Sequence, residues 1–235
     1  MNRPAGHRPL RSFVRREGRM TGGQQRALER LWPVYGVDLP PGPLDLAALF
    51  GRAAPCVLDI GFGNGETLVA MAAADPDRNY LGVEVHRPGV GHCLLAAEEA
   101  EVSNLRVLVA DAVEVMSRHL APGSLAAIHI YFPDPWPKKR HHKRRLIQRS
   151  FLDLAADRLE PGGVLHLATD WEDYAEWMSE LLEDDDHFAN TAAPHHYLPD
   201  PPPRPETKFE RRGLRRGHKV FDLIYQRPDG SEGTM

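Results

Sequence analysis

The chain has 235 residues, 42% of them hydrophobic and 26% charged, with 33 acidic against 29 basic side chains for a formal charge of −4. That is globular composition: it excludes a wholly disordered, collagen-like or coiled-coil chain, and no run approaches the roughly 20 apolar residues of a membrane span. Two cysteines, Cys56 and Cys93, cannot build a disulfide framework and fit a reducing, cytoplasmic setting.

Residues 1–20 form an Arg-rich arm without the apolar stretch of a secretory signal, and the arm is expected to be mobile. A single domain is expected over residues 21–228, with a tail at 229–235. Residues 21–31 read as a short helix ended ahead of Pro33, and 45–50 as another. From Cys56 the pattern changes. The apolar run 56–60 reads as a strand, 66–74 as a helix stopping at Asp75-Pro76, 80–85 as a second strand and 89–101 as a helix. Residues 105–110 read as a third strand, 112–120 as a helix and 125–132 as a fourth strand. A long helix is expected over 143–159, closed by Pro161-Gly162-Gly163, then a fifth strand over 164–169 and an amphipathic helix over 171–183. Two last strands are expected at 188–192 and 220–226. Strands alternating with helices of about 10–15 residues spell βαβ units: an α/β fold, doubly wound around a mostly parallel seven-stranded sheet with helices on both faces. The strands are near-continuous apolar runs, as when both faces are covered. Five prolines within residues 199–205 mark a stiff extended connection or a surface loop.

The charge is segregated. Residues 1–30 carry eight Arg and two Glu, residues 131–149 seven Lys or Arg and one acid, and residues 204–219 seven Lys or Arg and two Glu. Residues 172–186 are the counterweight, with eight acids and no base. Brought to one face, the basic segments would steer a polyanion; left apart, they are three solvated runs.

Asp59-Ile-Gly61-Phe-Gly63-Asn-Gly65 ends the first strand and opens a helix. The glycines permit a sharp turn and close approach of a ligand, and the helix start offers free N–H groups. A dinucleotide site would want G-x-G-x-x-G. The spacing here is G-x-G-x-G, preceded by an acid. A carboxylate repels a phosphate and attracts an ammonium, which tilts the ligand from NAD towards S-adenosylmethionine. Glu84 ends the second strand, where an acid can accept from ribose hydroxyls, and Asp111 ends the third, near where an adenine amino group would lie. One such acid is commonly a helix cap; three in register point to the ligand edge of an open α/β sheet.

Tyr131-Phe-Pro-Asp-Pro-Trp-Pro137 follows the fourth strand. Its prolines stiffen the loop and hold Asp134 at the same edge. Trp136 could stack on a nucleobase or anchor the loop. Lys138-Lys-Arg-His-His-Lys-Arg-Arg145 comes next. Positive charge at a helix start works against the dipole, so it points to a polyanionic partner. The adjacent pairs His141-His142 and His195-His196 lack the spacing of a zinc site and read as surface residues.

These motifs together resemble the bacterial tRNA (guanine-N7-)-methyltransferase family of class I S-adenosylmethionine-dependent enzymes. The resemblance runs from about residue 11 to 227. It rests on Arg11-Ser-Phe-Val-Arg15, Gly18-Arg-Met-Thr21, the glycine motif, Gly82-Val-Glu-Val-His86, Asn104-Leu-Arg-Val107, Asp111-Ala-Val-Glu114, Phe132-Pro-Asp-Pro-Trp136, Ala168-Thr-Asp-Trp171 and Thr207-Lys-Phe-Glu210. Asp59 stands where the family commonly has Glu, and Pro137 where a polar residue is usual.

The resemblance implies a Rossmann-like class I methyltransferase whose last strand is antiparallel. It implies cofactor contacts from Asp59, Gly61, Gly63, Glu84, Asp111 and Asp134, with Asp134 also catalytic. It implies substrate contacts from Lys138, Asp170, Thr207, Lys208, Phe209 and Glu210. The implied partner is tRNA, methylated at variable-loop guanine 46, with no metal required, no membrane and a monomer or homodimer. Guanine N7 carries an in-plane lone pair and no proton, so positioning and charge stabilisation are expected to dominate. Asp134, Asp170 and Glu210 could each stabilise the cationic ring or read the guanine edge, and Trp136 or Phe209 could stack on the base. The basic runs at 11–19, 138–145 and 211–219 would hold phosphates. A same-fold enzyme with another methyl acceptor, an inactive RNA-binding protein and, last, a dehydrogenase are the alternatives.

Overall fold

β1 (Cys56–Ile60) is buried along its whole length, so it lies at the centre of a sheet with both faces covered. In the computed structural model, which describes residues 19–193, 197, 204–215 and 217–229, β1 pairs in parallel with β2 (Asn79–Glu84) on one side and β4 (Leu125–Tyr131) on the other. β3 (Leu105–Val109) extends the sheet beyond β2 and β5 (Leu159–Thr169) beyond β4, both parallel. β7 (Phe221–Gln226) runs antiparallel between β5 and the two-residue β6 (Ala189–Asn190). The order is β3-β2-β1-β4-β5-β7-β6, the expected seven strands with the last one reversed.

Successive strand residues alternate between two apolar layers. Val57, Tyr80 and Val107 face α1 (Gly22–Tyr35), α3 (Glu66–Ala74) and α4 (Arg87–Glu99). Leu58, Leu81 and Ile128 face α5 (Ala112–His119), α6 (Arg149–Arg158) and α7 (Glu172–Glu183). Each of these three is fully buried, worth roughly 1.5–3 kcal/mol of hydrophobic stabilisation per side chain. The chain order reverses direction across the sheet between β1 and β4, so the crevice at their carboxyl ends is the expected ligand site. Among the described residues, no helix is long and apolar enough to cross a membrane. The N-terminal arm up to residue 18, His195-His196 and most of the proline-rich connection lie outside the described residues.

Four boundaries differ from the sequence reading. α1 continues through Pro33 to Tyr35, because buried Leu31 and Tyr35 hold its last turn while the proline ring sits on the exposed side. The basic run does not open a long helix: Lys139–Arg144 is a 3-10 turn, and α6 starts only at Arg149. Charges without apolar periodicity left that turn no face to bury. Pro161-Gly162-Gly163 ends no helix; it is an irregularity inside β5, where Leu125 pairs with Leu159 but Ala127 already pairs with Val164. Gly162 there takes φ 77°, and the bulge is pinned by mutual backbone bonds with Arg227. The strand expected over 188–192 is reduced to β6.

Asn104, just ahead of β3, is buried, and its amide nitrogen reaches the carbonyls of Ala72, Asp75 and Arg78 at 2.9, 3.0 and 2.9 Å. It ties the end of α3 and the following loop to the sheet. Asn104→Ala leaves buried carbonyls without this donor and is expected to cost about 2 kcal/mol. Urea unfolding checks this, and a loss under about 0.5 kcal/mol would contradict it.

Candidate active site

The glycine turn between β1 and α3 is built on backbone geometry that only glycine adopts without strain. Gly61, Gly63 and Gly65 have φ of 75°, 61° and 80°. Its close contacts are as restrictive. A Cβ on Gly89, in the first turn of α4, would lie 2.0 Å from the carbonyl oxygen of Gly63. The turn is therefore wedged against α4 with no room for a side chain, and Gly89 is a site-forming residue absent from the sequence reading.

Glu84 holds the turn from the side. Its Oε2 accepts from Gly63 N–H at 2.9 Å, and its Oε1 accepts from the N–H groups of Val85 and His86 at 2.6 and 2.9 Å. A carboxylate has about four acceptor positions, so Oε2 retains capacity for a further donor such as a ribose hydroxyl. Asp111 does cap α5, accepting from Val113 N–H at 2.9 Å through Oδ1. Glu84, Asp111 and Asp134 nevertheless line one cleft of about 200 Å³, together with Gly61, Tyr131 and Phe132. A larger groove of about 610 Å³, with Trp32, Asp38 and Arg87 on its walls, meets this cleft at Ala110 but holds none of the predicted acids.

Asp59 is set apart from those three. It is 2% exposed, and burial first, with the nearby Glu84 charge second, pushes its pKa up to about 7. Burial without a cationic partner favours the neutral form of this acid.

Asp134 is exposed on a loop whose backbone is bent by two non-glycine residues in the left-handed region, Phe132 at 54° and Trp136 at 46°. Such conformations persist only where the surroundings enforce them. Phe132 N–H is held by the Ala168 carbonyl at 2.7 Å. Trp136 carries the Arg144 guanidinium 3.9 Å above its ring centre, with His141 edge-on, so the structure supports the anchor reading of this tryptophan. Arg145 is 2% exposed. It donates to the Pro135 carbonyl at 2.9 Å, pairs with Asp173, and lies over the rings of Tyr174 and Trp177. Arg145 therefore fixes the loop from beneath and leaves the expected phosphate-binding run, whose exposed members are Lys138, Lys139, Arg140 and Lys143. His142 is likewise no surface residue: its ring packs edge-on to Trp177.

α8 (Lys208–Leu214) brings the Thr207-Lys-Phe-Glu segment to the same edge. Thr207 and Glu210 form a capping box: the Thr207 hydroxyl accepts from Glu210 N–H, and the Glu210 carboxylate accepts from Thr207 N–H. The T-x-x-E spacing alone signals this. The helix is moored by Arg211 to Glu66 of α3 at 2.9 Å. Asp170, following β5, takes His218 at 3.2 Å and packs against Gly213. The predicted residues thus gather in two sets: Gly61, Glu84, Asp111 and Asp134 around the cleft, and Asp170, Thr207 and Glu210 beside it. For Lys208 and Phe209 only the backbone is described. Arg204, which pairs with Glu210 of the second set, and Tyr131, His166 and Asp222, which line up behind it, were given no site role in the sequence reading because most of these contacts join distant parts of the chain.

A glycine turn, strand-end acids and a mostly parallel sheet closed by one reversed strand define a class I methyltransferase domain. Solved structures agree on this fold. The 16S rRNA methyltransferase KamB superposes with a TM-score of 0.56 at 18% identity, covering 79% of this chain and 94% of that one. The aminoglycoside resistance methyltransferase NpmB1 does so with 0.54 at 12% identity, covering 81% and 95%. A family model described as putative methyltransferase matches residues 53–223. The tRNA (guanine-N(7)-)-methyltransferase of Halorhodospira halophila is 69% identical over 94% of this chain and 97% of its own length. That of Alkalilimnicola ehrlichii is 59% identical over 94% of each. The chain belongs to the tRNA (guanine-N7-)-methyltransferase family.

Asp59 gives a pH signature. An unfolded aspartate titrates near pH 4, and this one near 7. Between those values the folded chain holds the extra proton, so stability contributed by that proton is lost as pH rises through the window. Asp59→Asn should flatten the fall, by up to roughly 3–4 kcal/mol between about pH 4 and 8. Parallel urea titrations of both proteins measure it, and identical pH slopes would refute it.

Proposed function

We infer that the protein transfers the methyl group of S-adenosylmethionine to N7 of a guanine in tRNA, forming 7-methylguanosine. The relatives that match nearly the whole chain are named for this reaction. The observation that carries it at the level of chemistry is Asp134: a carboxylate exposed at the rim of the cleft, on a backbone bent into place from both sides.

The residues fit the cofactor. A left-handed glycine turn leaves room for its amino-acid end. The raised acid Asp59 suits an ammonium, and Glu84 retains an acceptor for a ribose hydroxyl. Gly61 and Gly63 would lie along it, and Asp111 would reach its adenine side. When bound, S-adenosylmethionine supplies an electrophilic methyl group on a sulfonium. The protein's own task is then positioning. Guanine N7 needs no base, so Asp134 abstracts no proton. It orients the base and stabilises the positive charge that the ring acquires as N7 gains the methyl. Asp170, exposed enough to meet a base, serves the guanine edge. Lys138 and its exposed neighbours hold tRNA phosphates, and by family resemblance the Thr207-Lys-Phe segment serves the nucleoside. By family resemblance the acceptor is variable-loop guanine 46, in the cytoplasm where tRNA matures.

Two tests follow. Asp134→Ala is expected to keep the fold while lowering kcat by about 10²-fold or more at saturating cofactor, read as 7-methylguanosine formed on unmodified tRNA. Near-normal turnover would remove Asp134 from the mechanism. The triple variant Lys138→Ala, Lys139→Ala, Arg140→Ala should weaken tRNA binding uniformly across sequences and flatten its salt dependence by roughly one unit of slope per lost phosphate contact. An unchanged slope would place the RNA elsewhere.

A further inference from the structure

The face of β4, β5 and β7 nearest α8 carries a chain of buried polar side chains. Tyr131 Oη lies 3.0 Å from His166 Nδ1, and His166 Nε2 lies 2.7 Å from Asp222 Oδ1. Arg204 takes both oxygens of Asp222, at 3.0 and 3.1 Å, and both oxygens of Glu210, at 2.5 and 3.2 Å. Its guanidinium also lies 5.0 Å over the Tyr131 ring and 5.7 Å over Phe132. The side chains of Arg204, Asp222, His166 and Glu210 are 7%, 4%, 7% and 12% exposed. A planar fork is the one side chain that can grip two carboxylates bidentately and stack on an aromatic at once.

Glu210 is already engaged through both oxygens, with one acceptor position left, too few for the two donors of the guanine edge. Its carboxylate already accepts two N–H groups from Arg204 and one from Thr207. Reading guanine N1–H and its amino group would mean giving up a buried bidentate ion pair. Asp170, at 30% side-chain exposure, meets a base without that loss.

We propose that Arg204 is a positioning residue that clamps Glu210, and with it the Thr207–Glu210 turn, to Asp222 of β7 and to the Tyr131-Phe132 step leading into the Asp134 loop; Glu210 is the clamp's acceptor, not a reader of guanine. The proposal rests on the methyl-transfer reading and deepens it. Substrate segment and catalytic loop come from opposite ends of the domain's second half, and Arg204 fixes their relative position. Tyr131, His166 and Asp222 are the seat on which it closes.

The test is a double-mutant cycle. Arg204→Ala, Glu210→Gln, Arg204→Lys and the double variant Arg204→Ala/Glu210→Gln are assayed on tRNA carrying guanine or inosine at the methylated position. Inosine keeps N7 and lacks the amino group. Each single loss should lower kcat/KM for tRNA by about 10²-fold, with S-adenosylhomocysteine affinity within about twofold of wild type. The double variant should be no worse than either single one, Arg204→Lys should recover part of the loss, and the preference for guanine over inosine should persist in all. Multiplying losses, or a guanine preference abolished by Glu210→Gln alone, would overturn the proposal. Hydrogen exchange across residues 207–215 gives a readout independent of turnover. Arg204→Lys should loosen that segment alone, and unchanged protection would also refute the clamp. If the wild-type enzyme methylates no tRNA, the functional reading fails while the exchange result still decides the clamp.

Discussion

The hydrogen bond from Gly63 N–H to Glu84 is the constraint on which the site is built. It joins the turn after β1 to the end of β2, so that two neighbouring parallel strands deliver their ligand-facing groups at one height. The Gly61 N–H bond to the Val83 carbonyl, 2.8 Å, makes the same crossing one step earlier. With the turn so fixed, α3 starts where its free N–H groups face the crevice, and α4 can press against Gly63 because Gly89 has no side chain. None of this requires a ligand. The cradle is preorganised, which spares binding energy that would otherwise go into ordering a loop.

The two halves of the site use opposite strategies. On the cofactor side, backbone geometry dominates and charge is sparse. Asp59 is an acid held in a setting hostile to its ionised form. On the acceptor side, charge dominates and backbone regularity is low: a 3-10 turn, a seven-residue helix and a bent proline loop are held by Arg145, Arg204 and Arg211. Arginine suits that work because its fork holds two groups at once. The price of such a design is that several basic residues in apparent RNA-binding runs are consumed internally.

That division explains what was legible in the sequence. β1 to β4 could be read because both their faces are buried, which writes them as apolar runs. The glycine turn could be read because left-handed backbone has few residue solutions. Asp134 could be read because prolines advertise a fixed loop. Arg145 could not be told from its exposed neighbours, since charge alone carries no sign of burial. Pro161-Gly162-Gly163 has the composition of a helix stop, and only the pairing of β5 with both β4 and residue 227 reveals a bulge. Glu210 was read by family resemblance as a substrate contact, although its spacing from Thr207 also spells a cap. Arg204 was hidden because Asp222 lies 18 positions away on a strand whose direction the local sequence does not state.

β7 enters the sheet between β5 and β6, although β6 precedes it in the chain. During synthesis β5 therefore emerges with one edge unpaired and must wait more than fifty residues for its neighbour, and β6 has nothing to pair with until then. An open edge of this kind is a template for association with other chains. Pro161 and the irregular start of β5 shorten the regular stretch at risk. The same delay means that Asp222 is delivered only after all the parallel strands, so a nascent chain can complete the glycine turn and the Glu84 contact well before the Arg204 ion pairs can form.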